Sequence, residues 1–271
     1  MEIDLTIDES VIRKPILVLV GYSGCGKTTF GARCNNPVFI LTEDGCHAPV
    51  SKIPKKGIIT KWEDVLAAVD YLLENDHGKE TVVIDVLNQA EKLCKAYVLE
   101  HEFGGRVYPK AGKNNPPAYN EWGLGDKALE VEWCKLLNKL TRLRNEKDMF
   151  VVLLAHEGLH RQGNALGQDF LKVGGDMTRA AWNTTHRWAD QVGYIQKNIV
   201  VGINEKEIKA KVRSTPVGKG EQRIIYFDGT AGRDCKSRDK HWMSDSFVFS
   251  YKNYVADYKA NQIKHREKKG A

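Results

Sequence analysis

Short apolar runs of strand length alternate with longer stretches whose apolar residues recur at helical spacing. Ile16-Leu17-Val18-Leu19-Val20, Val38-Phe39-Ile40-Leu41, Thr81-Val82-Val83-Ile84 and Phe150-Val151-Val152-Leu153-Leu154-Ala155 predict buried strands. The apolar patch Ile58-Ile59 predicts a further short strand. Between them, Trp62, Val65, Leu66, Val69, Leu72 and Leu73 predict an amphipathic helix over Trp62–Glu74. Helices are also predicted from Lys27 to about Cys34, from Leu87 to about His101, across Leu129–Leu143 and around Thr178–Trp188. Alternating segments at Val192–Ile195, Ile199–Ile203, Ile208–Val212 and Ile224–Phe227 predict antiparallel strands late in the chain. The pattern is that of an α/β fold: a mainly parallel central sheet flanked by helices, with antiparallel strands late in the core. Residues 1–14 read as a polar arm, 15–228 as the core and 229–271 as a basic C-terminal segment.

Two stretches break the alternation. Residues 103–125 and 158–175 are rich in glycine, and both predict long loops. Loops of that length inside compact domains are uncommon and are often functional.

The first strand runs into Gly21-Tyr22-Ser23-Gly24-Cys25-Gly26-Lys27-Thr28-Thr29, which fits the phosphate-loop pattern G-x-x-x-x-G-K-[ST] without a mismatch. Strand, glycine-rich turn and helix are the context that motif requires. The glycines let backbone N–H groups converge on a phosphate chain, and the helix N-terminus adds partial positive charge. Lys27 is placed to reach the β- and γ-phosphates of ATP, and the Thr28 hydroxyl to hold Mg2+. Asp85, at the end of Val82-Val83-Ile84, is the expected second Mg2+ contact. Val86 follows it, where AAA+ enzymes usually carry a glutamate base. The base must therefore come from elsewhere, and Glu43 is the candidate, at the C-terminal end of the next strand, where open α/β sheets place ligand sites.

Composition narrows the picture a little. The chain has 271 residues, 42% of them hydrophobic, which is enough for a sizeable core, and a net charge of +6 compatible with a polyanionic partner. Its six cysteines form no C-x-x-C pair, and no apolar run is long enough to span a membrane. Together with the absence of an export signal, this gives cytoplasmic localisation as the expectation.

The chain as a whole resembles the bacteriophage nucleotide-binding proteins with a RecA-like ATPase core, the Sak-type single-strand annealing ATPases. The residues that carry the likeness are GYSGCGKTT, FILTEDG, Trp62-Glu63-Asp64, TVVID, NEWGLGDK, VVLLAHE and Trp188-Ala189-Asp190-Gln191-Val192-Gly193-Tyr194. The run Gly232-Arg233 … Lys236-Ser237-Arg238-Asp239 is also similar to that family's C-terminal basic motif. The resemblance implies that Glu43 is the catalytic glutamate and that His156 senses the γ-phosphate, in the place of a glutamine. It implies single-stranded DNA as a partner of the two loops, through Arg106, Lys110, Lys113, Tyr119 and Trp122 in the first and His160, Arg161 and Lys172 in the second. It further implies a homo-oligomer, ring or filament, with Lys211 or Arg213 as the cation lent to a neighbour's γ-phosphate, and a single-strand-binding protein as an associate. Two other readings share the phosphate loop: a small-molecule or nucleotide kinase, with the basic stretch 206–223 as its lid, and a non-catalytic ATP-binding DNA scaffold. A GTPase is disfavoured, because in Asn145-Glu146-Lys147-Asp148 the lysine is displaced from the N-K-x-D pattern.

Overall fold

The structure is a computed structural model that describes residues 13–110, 115–164, 167–197, 222–238 and 243–269. The buried apolar runs form β1 (Ile16–Gly21), β2 (Pro37–Leu41), β3 (Ser51–Ile53), β4 (Thr81–Asp85) and β5 (Phe150–Gln162). They are followed by β6 (Phe170–Gly175), β7 (Gln191–Lys197), β8 (Arg223–Tyr226), β9 (Lys236–Ser237) and β10 (Ser246–Val248). Across the sheet the order is β10-β8-β7-β1-β5-β4-β2-β3, with β6 attached to β5 and β9 to β7. From β7 to β3 every neighbouring pair is parallel; β8, β9 and β10 pair antiparallel. The chain is thus an α/β protein with a mostly parallel central sheet and late antiparallel strands, compatible with a phosphate-loop NTPase core.

A parallel sheet needs cover on both faces. The helices α1 (Lys27–Ala32), α2 (Trp62–Glu74), α3 (Leu87–Phe103), α4 (Leu124–Glu146), α5 (Arg179–Trp188) and α6 (Tyr251–Lys269) provide it. The two-residue period of β1 divides the core. Ile16, Val18 and Val20 pack with Trp62, Leu87, Leu136 and Trp182 from α2 to α5, while Leu17 and Leu19 pack with Phe30 of α1 and Tyr254 of α6. Trp62 and Trp133 stack with ring centroids 5.7 Å apart. Their indole N–H groups donate to Glu132 at 2.8 Å and Thr185 at 2.9 Å, so neither buried donor is left unmade.

Several sequence expectations change here. The short strand expected at Ile58-Ile59 lies instead at Ser51–Ile53, on the edge beside β2; Ile59 makes a single backbone bond to Leu41 at 2.8 Å. The strand β7 is parallel to β1 and antiparallel to β8 and β9. The second predicted loop is largely a β-hairpin: β5 runs past Ala155 to Gln162 and pairs with β6. Gly174 and Gly175 let that hairpin lie against Trp182, because a Cβ on Gly175 would stand 2.6 Å from the indole. The expected strands 199–203 and 208–212 lie outside the described residues.

The stretch Arg233–Arg238 is tied to the body of the fold by its side chains. The Arg233 guanidinium lies 3.9 Å from the Tyr226 ring centroid and pairs with Asp228. Asp234 accepts from the Trp182 indole at 2.7 Å and pairs with Lys172 at 3.0 Å. Lys236 and Arg238 donate to the last carbonyls of α5, those of His186, Arg187 and Trp188. These carbonyls have no partner within the helix, so the two cations satisfy the acceptors and oppose the negative end of the helix dipole.

Candidate active site

The loop after β1 is shaped by left-handed glycines. Gly24 has φ 79° and Gly26 has φ 97°, a region that side chains other than glycine rarely enter. Lys27 opens α1 and folds back on the loop, with Nζ donating to the carbonyls of Gly21 at 2.6 Å and Tyr22 at 3.0 Å. Burial pushes this ammonium below the usual lysine range, against the opposing pull of the Cys25 and Asp85 side chains.

The Thr28 hydroxyl donates to Asp85 Oδ2 at 2.9 Å. Burial raises the Asp85 carboxyl above its ordinary value, and the Thr28 hydrogen bond works against that rise. A hydroxyl and a carboxylate side by side are hard oxygen donors suited to Mg2+, which takes few protein ligands and completes its shell with water and phosphate oxygens. The donor set therefore fits the ion. Among the described residues there is no cluster of three or more His, Cys, Asp and Glu of the kind that cages a metal by itself.

Glu43 reaches this place from across the sheet. Its strand does not lie beside the phosphate-loop strand: β5 and β4 stand between β1 and β2. Past Leu41 the chain curls over the end of β4, where the N–H groups of Thr42 and Glu43 both donate to the Asp85 carbonyl, at 2.9 and 3.3 Å. The buried Thr42 hydroxyl secures the curl by donating to the Val86 carbonyl at 2.6 Å and accepting from the Val86 N–H at 3.0 Å. Glu43 Oε2 then lies 3.3 Å from His156 Nε2. Strand geometry ends at Leu41, so Asp44 does not turn to the opposite side; it lines the same cavity as Glu43.

That cavity is about 330 Å³ and is lined by Ser23, Gly24, Gly26, Lys27, Thr28 and Thr29 of the loop, by Glu43 to Cys46, and by Asp85, Val86 and His156. Loop, paired oxygens, acid and imidazole thus face one space. Two further residues shape it that the sequence reading did not single out. Asn88, in the first turn of α3, accepts from the His156 N–H at 2.7 Å and donates to the Asp176 carbonyl at 2.6 Å. It holds the point where β5 leaves the central sheet. Arg223 donates to the Cys25 carbonyl at 2.7 Å.

The residues expected to meet DNA divide into exposed and committed ones. Trp122 is 91% exposed and Lys110 is exposed as well; Tyr108, outside the expected set, is 72% exposed. Arg106 is half-buried and donates to the Pro117 carbonyl at 3.3 Å. Tyr119 is not a stacking surface: it is buried against Phe103, with Lys95 over its ring. On the hairpin Arg161 is exposed and pairs with Asp169 at 2.9 Å. His160 turns inward to the Gly175 carbonyl, and Lys172 is held by Asp234. Lys113, Lys211 and Arg213 lie outside the described residues. Among the described residues no helix is long and apolar enough to cross a membrane.

No curated protein matches the chain. A family model described as an AAA domain matches residues 13–238, well over half of its length, and spans every element that lines the cavity. With a phosphate loop after β1, an aspartate at the tip of β4 across β5 from it and a polar cavity over both, the chain belongs to the AAA domain family, a family of phosphate-loop ATPases.

Proposed function

We propose that this protein is an Mg-ATP hydrolase of the RecA-like, phage-associated annealing type, which binds single-stranded DNA and supports strand annealing in recombination. The observation that carries the reading is the meeting of Glu43 and His156, 3.3 Å apart, over the cavity that holds Lys27, Thr28 and Asp85. Thr28 and Asp85 would hold Mg2+, and the ion would supply neutralisation of charge on the phosphates. Lys27 supports the β- and γ-phosphate oxygens. Glu43 orients the attacking water and takes its proton, and the His156 imidazole donates toward the γ-phosphate. With Val86 after Asp85, the nearest acid able to serve as base comes from the β2 end. Exposed Trp122, Tyr108 and Lys110 support the DNA side: aromatic faces stack bases and cations meet phosphates. The assembly in this reading is a homo-oligomer, with Lys211 or Arg213 serving a neighbour's site.

Phosphate release measured with and without single-stranded DNA, with Mg2+ or a chelator, and with small-molecule phosphate acceptors tests the proposal. Release that needs Mg2+ and rises with DNA is expected. Transfer of the phosphoryl group to an acceptor would make the protein a kinase. ATP binding without release would leave it a scaffold.

A further inference from the structure

The last described pair of the β7–β8 ladder lies against the phosphate loop. Lys197 and Arg223 are direct cross-strand partners there. The Lys197 ammonium lies 5.6 Å from the Tyr22 ring centroid, and Arg223 Nη1 lies 2.7 Å from the Cys25 carbonyl. Two cations from one pair of ladder positions thus hold the loop at its beginning and near its apex. The ribbon is itself anchored: the Phe249 N–H donates to the Arg223 carbonyl at 2.7 Å, and the Phe249 ring stacks on Phe30 of α1 at 5.5 Å. Loop, first helix and ribbon are therefore one packed unit.

The bond to Cys25 has a consequence for the loop amides. The Cys25 carbonyl and the Gly26 N–H belong to one peptide plane, and in a trans peptide they point in opposite directions. Fixing the carbonyl on the outer guanidinium therefore aims the Gly26 N–H the other way, and Gly26 lines the cavity. Glycine is also the residue that allows the guanidinium so close: a Cβ on Gly26 would stand 2.6 Å from Arg223 Nη1. Lys27 holds the carbonyls of Gly21 and Tyr22, and Arg223 holds that of Cys25.

We propose that Arg223 is a positioning residue for nucleotide binding: from within the same chain it fixes the Cys25–Gly26 peptide so that the phosphate loop is preorganised for a nucleoside di- or triphosphate, with Lys197 steadying Tyr22 beside it. The proposal rests on the ATP-binding reading of the loop. An amide aimed in advance lowers the cost of ordering on binding, and it acts on the bound di- and triphosphate alike. Its loss is then a loss of uniform binding, seen in KM and dissociation constants and not in saturated turnover.

The test is calorimetric titration of ADP and ATP with Mg2+, together with steady-state hydrolysis, on the wild type, Arg223→Ala, Arg223→Lys and Lys27→Ala. Wild type that binds neither nucleotide would refute the ATP-binding reading itself. If it binds, Arg223→Ala is expected to weaken ADP and ATP together by about tenfold and to raise KM equally, with saturated turnover within about threefold. Arg223→Lys, which keeps a donor for the carbonyl, is expected to regain most of the affinity. Unchanged dissociation constants in Arg223→Ala would overturn the proposal, as would turnover lost at saturation with binding intact. Should Arg223→Ala fail to fold, Arg223→Lys carries the test: affinity as low as that of Lys27→Ala would overturn it.

Discussion

Nε2 of His156 stands 3.3 Å from Oε2 of Glu43, although the whole of β4 lies between the strands that carry them. The two side chains meet because the chain beyond β2 folds over the end of β4, on bonds from Thr42 and Glu43 to the Asp85 carbonyl. The acid is thus set by the same backbone that carries Asp85. Glu43→Gln keeps shape and hydrogen bonding and removes the proton acceptor. Hydrolysis is expected to fall about 10²-fold or more with Mg-ATP binding retained. Asp44→Asn, on the same cavity without the His156 partner, is expected to lose much less. Initial rates and nucleotide titrations on both variants decide it; a dead Asp44→Asn beside an active Glu43→Gln would exchange the two roles.

Asn88 ties β5 to the chain after β6, through the His156 N–H and the Asp176 carbonyl. Removing its amide leaves the His156 N–H and the Asp176 carbonyl without their partner in a part-buried place, at a cost of about 1 kcal/mol. Asn88→Ala is expected to lower the denaturation midpoint and to reduce turnover while the dissociation constant for Mg-ATP stays near the wild-type value. Denaturant unfolding and single-turnover hydrolysis measure the two effects separately.

The first loop is tested by salt. Neutralising Arg106, Lys110 and Lys113 together is expected to flatten the dependence of single-strand affinity on salt, because each phosphate contact releases a counterion. Trp122→Ala is expected to weaken binding about equally at all salt concentrations, by about 1–3 kcal/mol for a stacked base. A triple variant with the wild-type slope would remove this loop from the DNA path. Fluorescence anisotropy over a salt series distinguishes the outcomes.

The parallel core was legible because its strands are buried on both faces and read as unbroken apolar runs, and because Trp62–Glu74 has a clean helical stripe. The phosphate loop and Asp85 were legible because the motif is local. What escaped is long-range or disguised. Residues 158–162 read as a loop on account of glycine and charge, yet Leu159 and Arg161 alternate with Gly158, His160 and Gln162 as a two-sided strand does. The order that sets β5 and β4 between β1 and β2 depends on sheet assembly, which no local pattern encodes. Asn88 and Arg223 were missed for the same reason: each acts on a partner brought to it only by the fold, at 68 and 198 residues' separation. Residues 229–271 were read as a basic C-terminal segment; the period Tyr251, Tyr254, Tyr258 was the available sign of a packed helix face.

Tyr254 on that helix is buried among Phe30, Phe150 and Phe227, and its hydroxyl donates to Gln191 at 2.6 Å. The family match stops at residue 238, thirteen positions before this helix begins at Tyr251. The evolutionary module and the unit of folding consequently have different edges. A fragment trimmed to the module would carry the complete cavity and would strip the aromatic cover from Phe30, the residue on which the phosphate-loop helix rests. Dissection of this protein has to follow the packing of its rings and not the boundary of its family.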